Sequence, residues 1–206
     1  MFFFRKKYSG LPDESLMQLL QQGDVQAFSE IYLRYSQRML GYFYRMLAQD
    51  EQKAQDFLHD LFLKLLEKPD LYDVKKKFSS WLYSIAYNLC KNEYRRLAIR
   101  KRYADEEKYL EQIRQLFADD QVENQLDGDK FQKALLQELE RCNPDHRLIF
   151  LLRFQENFST REIAEILDCK EGTVRSRLFY LTRKLAVSLN EYHPLNYEVR
   201  NNEKNK

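Results

Sequence analysis

Apolar residues recur every three to four positions along most of this chain, and no stretch alternates as a half-buried strand would. Phe57, Leu58, Leu61, Phe62, Leu65 and Leu66 share one broad side of a helix predicted over Gln55–Lys68. Trp81, Leu82, Ile85, Ala86 and Leu89 make a second stripe on a helix running from Trp81 to Arg95. Val174, Leu178, Leu181 and Leu185 make a third, at i, i+4, i+7 and i+11. Helix breakers sit where the period lapses. Pro12 precedes Asp13-Glu14, Gly23-Asp24 divides a short first helix from a long second one, and Pro69-Asp70 ends a third. Gly128, Pro144 and Gly172 punctuate the second half. The pattern predicts an all-α fold of two helical domains, with four helices over 13–102 and three or four over 130–189. A flexible acidic linker over 103–129, with at most a short helix over 106–117, would join them. Coil of that length has a root-mean-square span of roughly 30 Å, enough for the two domains to occupy separate sites on one duplex.

Composition narrows this only a little. The chain has 206 residues, 44% hydrophobic and 32% charged, with a net charge of +2. The total charge is uninformative, but its distribution is not. Residues 75–102 hold nine Lys/Arg against one Glu, 103–130 hold three against nine Asp/Glu, and 170–184 hold five against one. Two cationic blocks flanking an acidic one predict two anion-binding surfaces separated by a segment that avoids them. Three cysteines, Cys90, Cys142 and Cys169, have neither an even count nor CxxC spacing, so reduced thiols in the cytoplasm are expected rather than disulfides or a metal site. The opening Met1–Lys7, with three Phe before three basic residues, is too short an apolar run for a signal peptide or a membrane span. It would pack on the first helix or stay disordered. The Asn-, Glu- and Lys-rich tail after Leu189 is expected to be disordered.

Three constellations carry candidate chemistry. On the 81–95 wheel, the side opposite the apolar stripe holds Tyr83, Tyr87, Lys91 and Tyr94, edged by Asn88 and Arg95, just after Lys75-Lys76-Lys77. Aromatic rings stack unpaired bases and neighbouring cations hold phosphates, although tyrosines at this spacing equally serve to cover an adjacent helix. On the 55–68 helix, Leu63 shares the outer face with Asp56, His59, Asp60 and Glu67. It is either an ordinary surface leucine or an anchor for a partner. The third is the most specific. Ser159-Thr160-Arg161-Glu162 is a capping box opening a helix that buries Ile163, Ala164, Ile166 and Leu167. After the turn Asp168-Cys169-Lys170-Glu171, a second helix points Ser176, Phe179, Tyr180 and Arg183 outward, flanked by Arg175 and Arg177. That is the layout of a DNA-reading helix-turn-helix, whose second helix enters the major groove. Arg175 suits a guanine edge, Ser176 and Tyr180 a base or phosphate, and Phe179 a thymine methyl.

Taken in order, these residues resemble the extracytoplasmic-function sigma factors. Glu162-Ile163-Ala164-Glu165-Ile166-Leu167 followed by Gly172-Thr173-Val174-Arg175-Ser176-Arg177-Leu178 is similar to their region four. Phe78-Ser79-Ser80-Trp81-Leu82-Tyr83-Ser84-Ile85-Ala86-Tyr87-Asn88 resembles regions two-point-three and two-point-four, and Asp56–Lys64 their polymerase-binding helix. Gly23-Asp24, Ala27-Phe28 and Tyr32 resemble the opening of region two. The resemblance implies region two at 13–102, a linker at 103–129 and region four at 130–189. It implies that Asp56, His59, Asp60 and Leu63 grip core RNA polymerase. The minus-ten element would meet Lys75, Lys76, Lys77, Tyr83, Tyr87, Asn88, Lys91 and Arg95, with an extruded base held in the loop around Lys75–Ser79. The minus-thirty-five duplex would meet Thr173, Arg175, Ser176, Arg177, Phe179, Tyr180 and Arg183. Promoter DNA, core polymerase and an anti-sigma factor are the implied partners, in the cytoplasm, with no cofactor. The chain departs from the family pattern in placing His59 for a usual Gln, Tyr87 and Tyr180 for basic residues, Asp168 for a turn Gly and Lys170 for a hydroxyl cap.

A stand-alone helix-turn-helix regulator is the main alternative. An enzyme is not expected: there is no GxxxxGK[ST] phosphate loop, and His59, His146 and His193 are scattered.

Overall fold

The computed structural model describes residues 8–103 and 127–192, and every regular element among them is helical. The N-terminal Phe cluster, most of the acidic linker including the short helix expected over 106–117, and the tail beyond Tyr192 lie outside the described residues. Four helices fill the first stretch: α1 (Asp13–Gln21), α2 (Val25–Met46), α3 (Glu51–Glu67) and α4 (Phe78–Tyr103). Four fill the second: α5 (Asp127–Glu140), α6 (Pro144–Phe150), α7 (Thr160–Leu167) and α8 (Glu171–Ser188). The all-α expectation holds, with breaks at Pro12, Gly23-Asp24, Pro69-Asp70 and Pro144 as predicted, whereas Gly128 and Gly172 fall in the first turns of α5 and α8, so α5 takes in the last residues of the predicted linker.

The breaks have local causes. Helix α1 begins with Asp13 and Glu14, whose charges suit the positive helix start, and stops before Gly23 at φ +90°, a backbone state that favours glycine. Asp24 then accepts from the Gln26 N–H at 3.1 Å to cap α2. Asp50 accepts from the Lys53 N–H at 2.9 Å to cap α3. Each such cap is worth about 1 kcal/mol. The capping box at Ser159 forms in both directions, with Ser159 N–H donating to Glu162 at 2.8 Å and Glu162 N–H donating to the Ser159 hydroxyl at 3.2 Å. Asp168 adopts the left-handed conformation (φ 51°, ψ 55°), so the turn survives without glycine.

The chain divides into two compact units. One gathers Met1–Glu93 together with Leu151–Glu171; the other gathers Tyr94–Phe150 with Gly172–Lys206. In the first, Leu16, Met17, Ile31, Met39, Phe43, Leu61, Leu65, Phe78 and Leu82 are fully buried. In the second, Leu139, Cys142, Leu181 and Leu185 form the centre, with Leu135, Phe150 and Leu189 packed against them. Buried Arg147 donates to the carbonyls of Leu139 at 3.1 Å and Glu140 at 2.6 Å, and so satisfies the end of α5.

Candidate nucleic-acid interface

The outer face of α3 is as the wheel predicts: Asp56, His59, Asp60 and Leu63 are all exposed, Leu63 by 52%. Leu66 departs from its predicted apolar face and is 38% exposed, at the edge of the buried stripe of Ala54, Leu58, Leu61, Phe62 and Leu65. Tyr32 and Phe62 meet with tilted rings at 4.7 Å and Phe28 meets Phe62 edge-on at 5.9 Å.

The loop before α4 is held from below. The Gln21 amide donates to the carbonyls of Pro69 (3.0 Å) and Tyr72 (2.9 Å), and the Tyr72 hydroxyl donates to the Lys76 carbonyl. The Glu14 carboxylate accepts the Phe78 N–H at 2.9 Å, so α1 caps α4. With its backbone pinned at both ends, the loop leaves the Lys75, Lys76 and Lys77 side chains exposed.

Helix α4 corrects the predicted wheel. Tyr83 is 0% and Tyr87 5% exposed, whereas both were expected to face away from the core. The buried stripe is Phe78, Leu82, Tyr83, Ala86, Tyr87, Cys90 and Glu93, turned by about one residue from the predicted one, and Trp81, Ile85 and Leu89 are only half-buried. The cause is ring packing. Tyr83 stands edge-on to Tyr42 at 5.4 Å and to Phe158 at 5.0 Å. Its hydroxyl makes no hydrogen bond of normal geometry; burial, and then the neighbouring Glu156 carboxylate, push its pKa far up. Tyr87 lies beneath Lys91, whose ammonium sits 5.5 Å from the ring centroid. The polar face of α4 is instead Asn88, Asn92, Arg95 and Arg96, with Lys91 half-buried beside it. Asn92 and Arg96 were missed. Their spacing from Asn88, four and eight residues, was the available signal.

One acid in the first unit is strongly perturbed. Burial opposes ionisation of Glu162, but the Lys77 ammonium at 2.5 Å and the Ser159 donors outweigh it and hold its pKa at about 2. Glu156, also missed by the sequence reading, accepts from Arg38 at 2.7 Å and 3.1 Å and lies 3.8 Å from Arg45.

On α8 the outward residues sit largely as predicted. Arg175, Ser176 and Arg183 are exposed, Phe179 is 59% and Tyr180 67% exposed, and Thr173 is half-buried. Phe179 and Tyr180 meet edge-on at 5.5 Å. Two positions differ: Leu178, expected inward, is half-buried, and Arg177 is half-buried because it pairs with Asp145 at 3.3 Å. The Ser176 hydroxyl donates to the Thr173 carbonyl at 3.0 Å.

Family models fit both halves. Sigma-70 region 2 matches residues 31–99 and Sigma-70 region 4 matches 132–180. The RNA polymerase sigma-H factor of Pseudomonas aeruginosa is 30% identical over 174 residues, covering 81% of this chain and 88% of the relative. The ECF RNA polymerase sigma-E factor of Escherichia coli K12 is 30% identical over 173 residues, covering 82% and 90%. The chain belongs to the extracytoplasmic-function sigma factors of the sigma-70 family. As a sigma factor it directs RNA polymerase to specific promoters, and the stand-alone regulator is not favoured. The fold of this sigma factor is also that of CnrH bound to the cytosolic domain of CnrY (TM-score 0.62, 18% identity, 87% of this chain and 98% of that one). It is likewise that of Bartonella quintana RpoE bound to the anti-sigma factor NepR (TM-score 0.60, 20% identity, 82% and 100%). No helix among the described residues is long and apolar enough to cross a membrane.

Proposed function

We propose that this sigma factor divides its work among three surfaces. Region two, over 13–102, grips core polymerase with Asp56, His59, Asp60 and Leu63. Its Lys75–Lys77 loop, with Asn88, Lys91 and Arg95 of α4, holds the minus-ten element as an open strand, and a base leaves the stack into the loop around Lys75–Ser79. Tyr83 and Tyr87 act beneath that face, positioning α4 and Lys91. Region four, over 130–189, reads the minus-thirty-five duplex with Thr173, Arg175, Ser176, Arg177, Phe179, Tyr180 and Arg183, and 103–129 links the two. The factor works in the cytoplasm, catalyses no reaction itself, needs no cofactor, and is restrained by an anti-sigma factor, a reading supported by the Bartonella quintana RpoE structure, which is a complex with the anti-sigma factor NepR.

The observation that carries this reading is the pinned loop. Its backbone is fixed by Gln21, Tyr72 and Glu14, the Lys75 and Lys76 side chains are exposed, and Lys77 stays 58% exposed while paired with Glu162. A rigid cationic rim suits strand capture, because unstacking a base costs a few kcal/mol and a preformed site loses little further entropy on binding. The test is run-off transcription with core polymerase and the triple variant Lys75→Ala, Lys76→Ala, Lys77→Ala. Core association should persist, while permanganate reactivity of minus-ten thymines falls at least about tenfold, since three phosphate contacts are removed. Undiminished melting would refute the assignment.

A further inference from the structure

The chain enters region two through a staple. Tyr8 is 6% exposed, and its hydroxyl donates to Asp24 at 2.8 Å. The Leu11 N–H closes a turn onto the Tyr8 carbonyl at 3.0 Å. All three guanidinium nitrogens of Arg34 are committed around that turn. They donate to the carbonyls of Tyr8 (3.1 Å), Ser9 (2.9 Å) and Leu11 (2.8 Å) and to the carboxylates of Asp13 (2.7 Å) and Glu30 (2.8 Å). Charge-assisted bonds from one planar group to five acceptors hold a backbone more firmly than separate neutral bonds do. Tyr8 and Ser9 precede α1, so the staple fixes where the chain arrives as well as where the helix begins. That arrival point borders the Lys75–Lys77 loop. Pro12, Glu14, Lys77 and Ser79 line one hollow, and Glu14 accepts the Phe78 N–H at 2.9 Å.

Immediately ahead of Tyr8 stands Phe2-Phe3-Phe4-Arg5-Lys6-Lys7. We propose that these residues are a second promoter-binding element, an arm whose cations hold phosphates of the open minus-ten strand and whose rings stack on its unpaired bases. The proposal rests on the reading that the Lys75–Lys77 loop meets that strand. The order of residues suits the task. Arg5, Lys6 and Lys7 lie within three residues of the staple, so at most about 11 Å of chain separates them from Tyr8. Phe2, Phe3 and Phe4 lie four to six residues out, within about 22 Å. Phosphates are thus met near the staple and bases beyond them. Charge argues the same way. The staple brings three cations to the side of region two where Lys75, Lys76 and Lys77 already stand, and like charges gathered there repel until a polyanion lies among them. Three neighbouring rings with no acid among them add stacking that tolerates any base. Short basic and apolar arms serve other DNA-binding domains in this manner. An anionic membrane surface also takes an aromatic–basic arm, but its anchorage beside a strand-holding loop favours nucleic acid.

The test uses the full-length factor assembled with core polymerase on a promoter duplex. With p-benzoylphenylalanine in place of Phe3, irradiation of the open complex should crosslink the arm to the minus-ten strand. Crosslinks to polymerase subunits alone overturn the proposal. Arg5→Ala with Lys6→Ala and Lys7→Ala should flatten the slope of log affinity against log salt by about 2, because each single-strand phosphate contact contributes about 0.7. Phe2→Ala with Phe3→Ala and Phe4→Ala should shorten the open-complex lifetime about tenfold, the loss of one stacked base. An unchanged slope and lifetime overturn the arm. So does a wild-type factor that sediments with phosphatidylglycerol vesicles and loses that binding in either triple variant while slope and lifetime stay unaltered; the arm is then a membrane anchor. The Lys75–Lys77 triple variant separates the two readings. Impaired melting there, with unaltered arm variants, keeps the loop and refutes the arm. Undiminished melting there refutes the loop and, with it, the arm's place on that strand.

Discussion

Helices α4 and α8 are both cationic and both carry aromatic side chains, yet they dispose of them in opposite ways. On α4, Tyr83 and Tyr87 are buried and the exposed face is amide and guanidinium. On α8, Phe179 and Tyr180 stand in solvent while Val174, Leu181 and Leu185 go inward. The difference lies in how many sides of the helix are covered. Over Phe78–Glu93, the part in the first unit, α4 has rings against it from two directions, Tyr42 of α2 and Phe158 of the Leu151–Glu171 segment, so its apolar surface is wider than one stripe. The buried side of α8 is one narrow line of aliphatic residues, so its large rings have nowhere to go but out. A tyrosine is thus a core residue in one helix and a candidate reading residue in the other, and its side-chain chemistry alone does not say which.

The largest test of that contrast is a pair of truncations. Tyr83→Ala empties a fully buried ring site and should cost about 3–5 kcal/mol, whereas Phe179→Ala should change stability by less than about 0.5 kcal/mol. Urea unfolding measures both. Equal losses would mean that α8 is buried in solution or that α4 is not. Next in size is Leu63→Asp, which puts a charge at the centre of the exposed α3 face and should weaken core association by about 2 kcal/mol, roughly thirtyfold. Undiminished co-purification with polymerase would remove Leu63 from the interface. Arg175→Ala should cost about 1–3 kcal/mol of discrimination at one base pair and spare core binding, read by run-off transcription over a promoter library.

The fold was legible because helix periods, Gly23, Pro69 and Pro144 are local signals, and caps such as Asp24, Asp50 and Ser159 form with neighbours in sequence. The exposed α3 and α8 faces were legible for the same reason: one covered side leaves the opposite side predictable. The α4 face was not, because its second cover comes from Phe158, 75 residues beyond Tyr83 in sequence, and no period reports so distant a ring. Glu156 escaped notice likewise: a single acid in a reverse turn is unremarkable until Arg38 and Arg45 are beside it. The partial burial of Arg177 was not legible either, because its partner Asp145, at 3.3 Å, lies 32 residues away in sequence.

The Lys77–Glu162 pair of the first unit has its own pH signature. Glu162 titrates at about 2 when paired and near 4.5 unpaired, so the stability its pairing contributes is fully present above pH 4.5. A carboxyl with a depressed pKa loses that contribution as pH falls, here between 4.5 and about 2. Carboxyl chemical-shift titration should place Glu162 near 2 in the wild type and move it back towards 4.5 in Lys77→Ala. A Glu162 midpoint unmoved by that substitution would deny the pair.

The smallest effect separates the regions by their turns. Between α2 and α3, exposed Ala48 sits at φ 56°; between α7 and α8, Asp168 sits at φ 51°. For alanine the left-handed state costs about 1–2 kcal/mol, because Cβ crowds the following carbonyl and no side-chain polar group compensates. Glycine removes that cost but adds roughly 0.4–1 kcal/mol of unfolded-state entropy. Ala48→Gly should therefore stabilise region two by about 0.8 kcal/mol, the middle of the roughly 0–1.6 kcal/mol balance of those two effects. Asp168→Gly should be near neutral, because aspartate already tolerates the geometry and the relief is correspondingly smaller. Thermal unfolding of the two variants gives the comparison directly. If Asp168→Gly stabilises as much as Ala48→Gly, the region-four turn carries as much strain as the region-two turn, and the acid at 168 does nothing to relieve it.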